Sequence, residues 1–150
     1  MHTSHSWSNR FKFTIYTIGK LAFLIHAALV LFFACIGVKE MVVYNVLSSL
    51  FFIAMMHLIK KEVNVKLIFF LTCLEVVLHA YLSTYYVGSE CNFILFIFVL
   101  PSVFLLNPKW ETWEKILFFI NIALLYLLNI IVFKTHEPRY ILNEDLVFCT

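Results

Sequence analysis

Five apolar runs, separated by short charged connectors, constrain this chain more than any other feature of its 150 residues. They extend from about Phe13 to Gly37, Met41 to Ile59, Leu67 to Val87, Phe93 to Leu106 and Ile116 to Phe133. Each lies near the roughly 20 residues needed to cross a hydrocarbon layer, the fourth being short. Stretches such as Ile116-Leu117-Phe118-Phe119-Ile120 do not alternate in polarity, so helices rather than barrel strands are expected. Composition agrees. Hydrophobic residues make up 63% and charged residues 13%, against roughly 45–50% and 25% in soluble proteins. The mean hydropathy is +0.93. Such a chain cannot cover itself with a polar surface, which excludes a soluble enzyme, a nucleic-acid-binding module and a disordered tail. The expected fold is all-α: a polytopic transmembrane helical bundle with five crossings.

The charged connectors are short, so successive helices are expected to run antiparallel. With the amino end in the cytoplasm, Arg10, Lys12, Lys20, Lys60, Lys61, Lys66, Lys109 and Lys115 fall inside. Lys39, Lys134 and Arg139 fall outside. Eight of eleven basic residues inside is the expected bias, and Trp110 and Trp113 then lie at the inner interface. Residues 1–12 form a cytoplasmic tail, 13–134 the bundle and 135–150 an outer segment. The first run is too long for the apolar region of a signal peptide, so it is an anchor. Tyr140 to Thr150 turns apolar again and reads as the start of a sixth helix, cut short. The location implied is the cytoplasmic (inner) membrane of a bacterium.

Ionisable residues at membrane depth are costly and are candidate functional groups by default. Thr72, Glu75, His79, Ser83 and Tyr86 recur on one face of the third helix, and that face is expected to turn inward. At ~1.5 Å rise per residue, Glu75 lies ~12 Å and His79 ~18 Å from the inner edge. His26 on the first helix and Asn129 on the fifth both come to ~20 Å. Together with Ser48 or Ser49 they form an expected polar layer. Glu75 has two expected partners: His79 one turn away, or Lys20 at similar depth. If Lys20 instead reaches back to the inner headgroups, His79 alone remains. His57 is expected at the interface, Asn121 in an interhelical hydrogen bond, and His2 and His5 in water.

Three uses of the polar layer compete. One is structural hydrogen bonding between helices. A second is a pocket for a small apolar or amphipathic ligand, with Glu75, His79, His26, Asn129, Ser83 and Thr72 as binding or switch residues. A third is b-type haem held by His26 and His79, in a redox sensor or electron carrier. Without it, no cofactor and no metal are expected. No CxxC pair, nucleophile motif or phosphate-binding loop appears, so an enzyme is not expected. The lipid bilayer is the expected partner; a homodimer and a disulfide among Cys35, Cys91 and Cys149 both stay open.

The stretch EVVLHAYLSTYYVGSECNFILFIFVLPSVFLL, Glu75 to Leu106, resembles part of a known family. Glu75 precedes the His79-Ala80 pair by four residues; Gly88, Phe93 and Pro101 follow. The segment resembles the third and fourth helices of the membrane-associated (MASE-like) sensor regions of bacterial nucleotide cyclases and diguanylate cyclases. The short loops and the basic second inner loop are similar to theirs. The resemblance implies six helices that pass a signal to a cytosolic catalytic domain, with Glu75 and His79 part of what is sensed or switched. It departs from that pattern in lacking a following cyclase sequence and a full sixth helix, so a sensor piece of a larger receptor and a stand-alone relative both remain.

Overall fold

The computed structural model describes residues 3–61, 64–105, 110–134 and 137–140. The described residues are helical, with no strand among them. Five α-helices follow in order: α1 (Thr3–Cys35), α2 (Lys39–Lys60), α3 (Val65–Val87), α4 (Val99–Leu105) and α5 (Thr112–Phe133). Two 3₁₀ segments, Ser89–Cys91 and Phe93–Phe98, join α3 to α4. Among the described residues four stretches are long and apolar enough to cross a membrane: Phe11–Cys35, Lys39–Lys60, Leu67–Val87 and Thr112–Phe133. By length and composition these make it a helical membrane protein. The chain forms two compact units, Met1–Glu75 and Val76–Thr150, whose boundary falls within α3.

In the first unit α1 and α2 form an antiparallel hairpin. Its turn is a Schellman motif. Val38 N–H donates to Phe33 O at 3.0 Å and Gly37 N–H to Ala34 O at 3.3 Å, with Gly37 at φ +77°. That left-handed conformation ends a helix without strain only where there is no Cβ. Phe33 and Val38, the pair of apolar positions that accompanies the motif, are both fully buried. The buried positions of α2 are Met41, Asn45, Ser48, Phe52, Met55 and Ile59. Their intervals alternate between four and three residues, the seam of a heptad repeat. α1 begins at Thr3, inside the expected tail, because no proline or glycine interrupts residues 3–18. Asn64 starts α3, accepting a 3.4 Å hydrogen bond from Leu67 N–H on its side-chain oxygen.

In the second unit the end of α3 meets the segment that follows α5. Tyr140 N–H donates to Tyr86 O at 2.9 Å. The Arg139 guanidinium lies 5.8 Å from the centre of the Tyr86 ring. Further back along α3, Tyr81 donates its hydroxyl to Leu125 O at 2.8 Å and sets its ring 6.0 Å from that of Phe133. Residue numbers rise together along the two helices, so the end of α3 and α5 are parallel. The segment between them returns alongside α5, with the Phe98 and Tyr126 rings 4.9 Å apart.

The fourth apolar run is not one α-helix. Phe93–Phe98 is a 3₁₀ helix and α-geometry begins only at Val99. Pro101 explains the break. Its ring would meet the carbonyl of Ile97 in a continuous α-helix, whereas in the first turn of α4 it is tolerated. The rise is ~2.0 Å per residue in 3₁₀ and ~1.5 Å in α geometry, so the two pieces span roughly 22 Å. The expected sixth-helix start at residues 141–150 lies outside the described residues.

The outer surface is greasy throughout. Phe13, Leu31 and Ile131 are about 70% exposed. On α5 the described positions are mostly open, the buried ones being Ile122, Asn129 and Phe133. On α3 Glu75, His79 and Ser83 are buried while Phe70, Leu74 and Leu78 are exposed. This inversion of soluble amphipathicity suits a helix whose solvent is lipid.

Candidate functional site: a buried acid, imidazole, amide and hydroxyl

The first unit holds a polar cluster enclosed by apolar helix surfaces. Four side chains build it: His26 from α1, Asn45 and Ser48 from α2, and Glu75 from α3. All are at least nine-tenths buried. Asn45 and Ser48 stand three residues apart on the heptad seam of α2, and His26 faces them across the hairpin.

The hydrogen bonds fix the chemistry of each group. Asn45 donates from Nδ2 to Met41 O, one turn earlier on its own helix, at 2.7 Å. That anchor turns the amide oxygen toward His26, whose Nδ1 lies 2.8 Å from Asn45 Oδ1. An amide oxygen only accepts, so His26 Nδ1 carries the hydrogen. The other ring nitrogen, Nε2, then faces Glu75 Oε1 at 3.5 Å. Ser48 donates its hydroxyl to the same Oε1 at 2.6 Å. Imidazole, carboxyl, amide and hydroxyl thus satisfy one another in a place that burial would otherwise make costly for each. Phe52 stacks on the His26 ring at 5.2 Å and 23°, which fixes the plane of the imidazole. Tyr44 donates to the Glu75 backbone carbonyl at 3.4 Å. The second carboxylate oxygen, Oε2, is buried and has no hydrogen-bond partner among the described residues.

Of the sequence-derived candidates, His26, Ser48 and Glu75 come together here. Lys20 goes elsewhere: its ammonium lies 4.9 Å from the centre of the Tyr16 ring, one turn back. Thr72 is half-buried and bonds to Ile68 O in its own helix at 2.9 Å. Ser49 does the same with Asn45 O at 2.8 Å. His79, Ser83 and Asn129 belong to the second unit and are buried there. The His79 ring stands edge-on to Phe93, 6.4 Å between centroids. Ser83 Oγ and Asn129 Nδ2 have no hydrogen-bond partner among the described residues.

Two residues differ from expectation. Asn121 is exposed on α5 and donates to Leu117 O at 2.8 Å, an intrahelical bond. A short amide can satisfy itself on the carbonyl four residues back and needs no second helix. Asn45 stands outside the sequence-derived set, though it interrupts an apolar run as Asn129 does.

A haem iron takes the lone pair of an imidazole nitrogen. Both nitrogens of His26 face oxygen atoms, so ligation there displaces Glu75 or Asn45. Among the described residues no three of His, Cys, Asp and Glu converge as a metal site would require. No disulfide joins Cys35, Cys73 or Cys91; Cys149 lies outside the described residues. No protein-family model, no curated protein and no solved structure matches this chain.

Proposed function

We propose that this protein is a sensory input module of a bacterial receptor, lying in the cytoplasmic membrane with its amino end inside. It takes up a small amphipathic ligand among its helices and passes the change to a cytosolic output, such as a nucleotide cyclase. One observation carries this reading: a carboxylate at membrane depth, held on Oε1 by His26 and Ser48 and with Oε2 unoccupied by any described donor. A structural hydrogen bond between helices needs no open acceptor. A hydroxyl or amine on an otherwise apolar ligand supplies the donor that Oε2 lacks. Such a donor competes with Ser48 and His26 for the Glu75 carboxyl group, and so loosens its contacts to α1 and α2. Two packings of these helices, one with the cluster closed and one with the ligand bound, make the switch. The module itself catalyses nothing in this reading.

Five crossings complete the proposal. Basic residues alone do not choose the number. If the segment from Phe93 to Leu105 fails to cross, Lys109 and Lys115 move outside while Lys134 and Arg139 move inside. The count stays at eight and three. The parallel run of α3 and α5 in the second unit supports the crossing, since two parallel helices need a return between them.

The test is native mass spectrometry of the full chain purified in mild detergent. The wild type is expected to retain a low-mass, non-lipid compound that Glu75→Gln loses while keeping its helical circular dichroism. Identical spectra for the two proteins, or no compound on the wild type, would defeat the ligand reading.

A further inference from the structure

At the open end of the α1–α2 hairpin two lysines converge on one tyrosine. Lys20 Nζ lies 4.9 Å and Lys60 Nζ 5.2 Å from the centre of the Tyr16 ring. The two ammoniums are therefore at most about 10 Å apart. Both lysines are exposed, and no carboxylate among the described residues pairs with either. Lys20 belongs to the span Phe11–Cys35, yet its head lies one turn back over Tyr16, level with Lys60 at the end of α2. That is a snorkelling side chain, whose stem runs along apolar surface and whose charge reaches the boundary.

We infer that this pair is a binding site for the phosphate of an anionic phospholipid. Two like charges held this close repel one another at the edge of the hydrocarbon layer, and a phosphate oxygen pair between them replaces that repulsion with two attractions. Both ammoniums converge on the same tyrosine ring, and each lysine retains hydrogens to donate to a phosphate. The surroundings select a lipid over a free anion. Phe13, Leu21 and Leu24 on the same helix are 71%, 58% and 61% exposed, so acyl chains have apolar surface to lie on directly beside the charges. Lys61, also exposed and next in the chain, adds a third cation at the rim.

The inference is independent of the Glu75 site and is tested separately. The full chain is reconstituted in nanodiscs of phosphatidylcholine containing a minor fraction of phosphatidylglycerol, released into the gas phase, and its retained lipids are weighed. The wild type is expected to hold phosphatidylglycerol in preference to phosphatidylcholine. The double variant Lys20→Gln/Lys60→Gln is expected to lose that preference by roughly tenfold or more, and Lys20→Arg/Lys60→Arg to keep it. Circular dichroism checks that each variant remains helical. Equal retention by the wild type and the double glutamine variant overturns the site, as does a wild type that shows no headgroup preference. Displacement of the bound lipid by excess inorganic phosphate overturns the assignment to a lipid.

Discussion

The backbone N–H of Tyr140 donates to the carbonyl oxygen of Tyr86 at 2.9 Å, tying the chain beyond α5 to the last turn of α3. Pro138 lies beside Gly88, where an added Cβ would stand 3.4 Å from its ring. These contacts place the two helix ends together, and they give the proposed crossing number a direct check.

Single-cysteine proteins carry that check. Glu137 and Thr112 are both exposed; Thr112 is the first residue of α5 and Glu137 lies beyond its other end. In a background without the native cysteines, Glu137→Cys is expected to react with an impermeant maleimide from the same side of the membrane as a cysteine retained at position 91. Thr112→Cys is expected to react only from the other side. If positions 112 and 91 label from one side, the segment between α3 and α5 does not cross.

Gly88 supplies a stability prediction. Its backbone sits at φ +93° and ψ 163°, a region essentially confined to glycine and costing other residues on the order of 1–3 kcal/mol. Gly88→Ala is expected to lower unfolding stability in detergent by about that amount. Gly19→Ala is the control. Its new Cβ would meet Met56 Cγ at 3.0 Å, but methionine side chains shift readily and alanine favours a helix interior by roughly 0.5–1 kcal/mol. The two effects oppose, so Gly19→Ala is expected to be near neutral.

The helices were legible in the sequence because lipid removes the ambiguity that water introduces. An apolar run of twenty residues has no other stable form in hydrocarbon, and α2, α3 and α5 end within a few residues of the points where charge begins. The failures are local. At Phe93 the hydropathy is uninterrupted, and only the clash of the Pro101 ring with a carbonyl four residues earlier divides the run. At the amino end, polarity suggested a tail, but polarity does not stop a helix when neither proline nor glycine is present. In the cluster, Glu75 and His26 stood out by charge, whereas Asn45 matters through its orientation, which follows from its bond to Met41 and is invisible in composition. The face of α3 was readable from spacing; which helix each of its residues meets was not.

Ser48 and Glu75 provide an energetic test. The contact is short and buried, yet polar pairs in membrane proteins couple by only about 0.6 kcal/mol on average and rarely more than about 1.7. A double-mutant cycle of Ser48→Ala and Glu75→Leu, read by unfolding in detergent, is expected to give a coupling at the upper end of that range. Zero coupling would mean that the 2.6 Å contact carries no stabilisation and that the carboxylate is held by other groups. Glu75→Gln adds information. Leucine leaves the buried Ser48 hydroxyl without its acceptor, so Glu75→Leu is expected to be less stable than Glu75→Gln.

The tautomer of His26 is the sharpest consequence of the cluster. Asn45 can present only its oxygen to the ring, because its nitrogen is spent on Met41 O. Nδ1 of His26 is therefore protonated whatever the charge of the ring. Nitrogen-15 spectra of histidine-labelled protein, with the His26 signal assigned by its loss in His26→Gln, are expected to show a protonated Nδ1. Replacement of Asn45 by leucine keeps the volume and removes the acceptor. Nδ1 then gains nothing from its hydrogen, and the neutral ring is free to place it on Nε2, toward Glu75. The His26 signals of Asn45→Leu are expected to move toward that tautomer, while Ser49→Ala, which removes a bond to the Asn45 carbonyl only, leaves them in place. An unprotonated Nδ1 in the wild type would reverse the amide of Asn45 and overturn its bond to Met41 O.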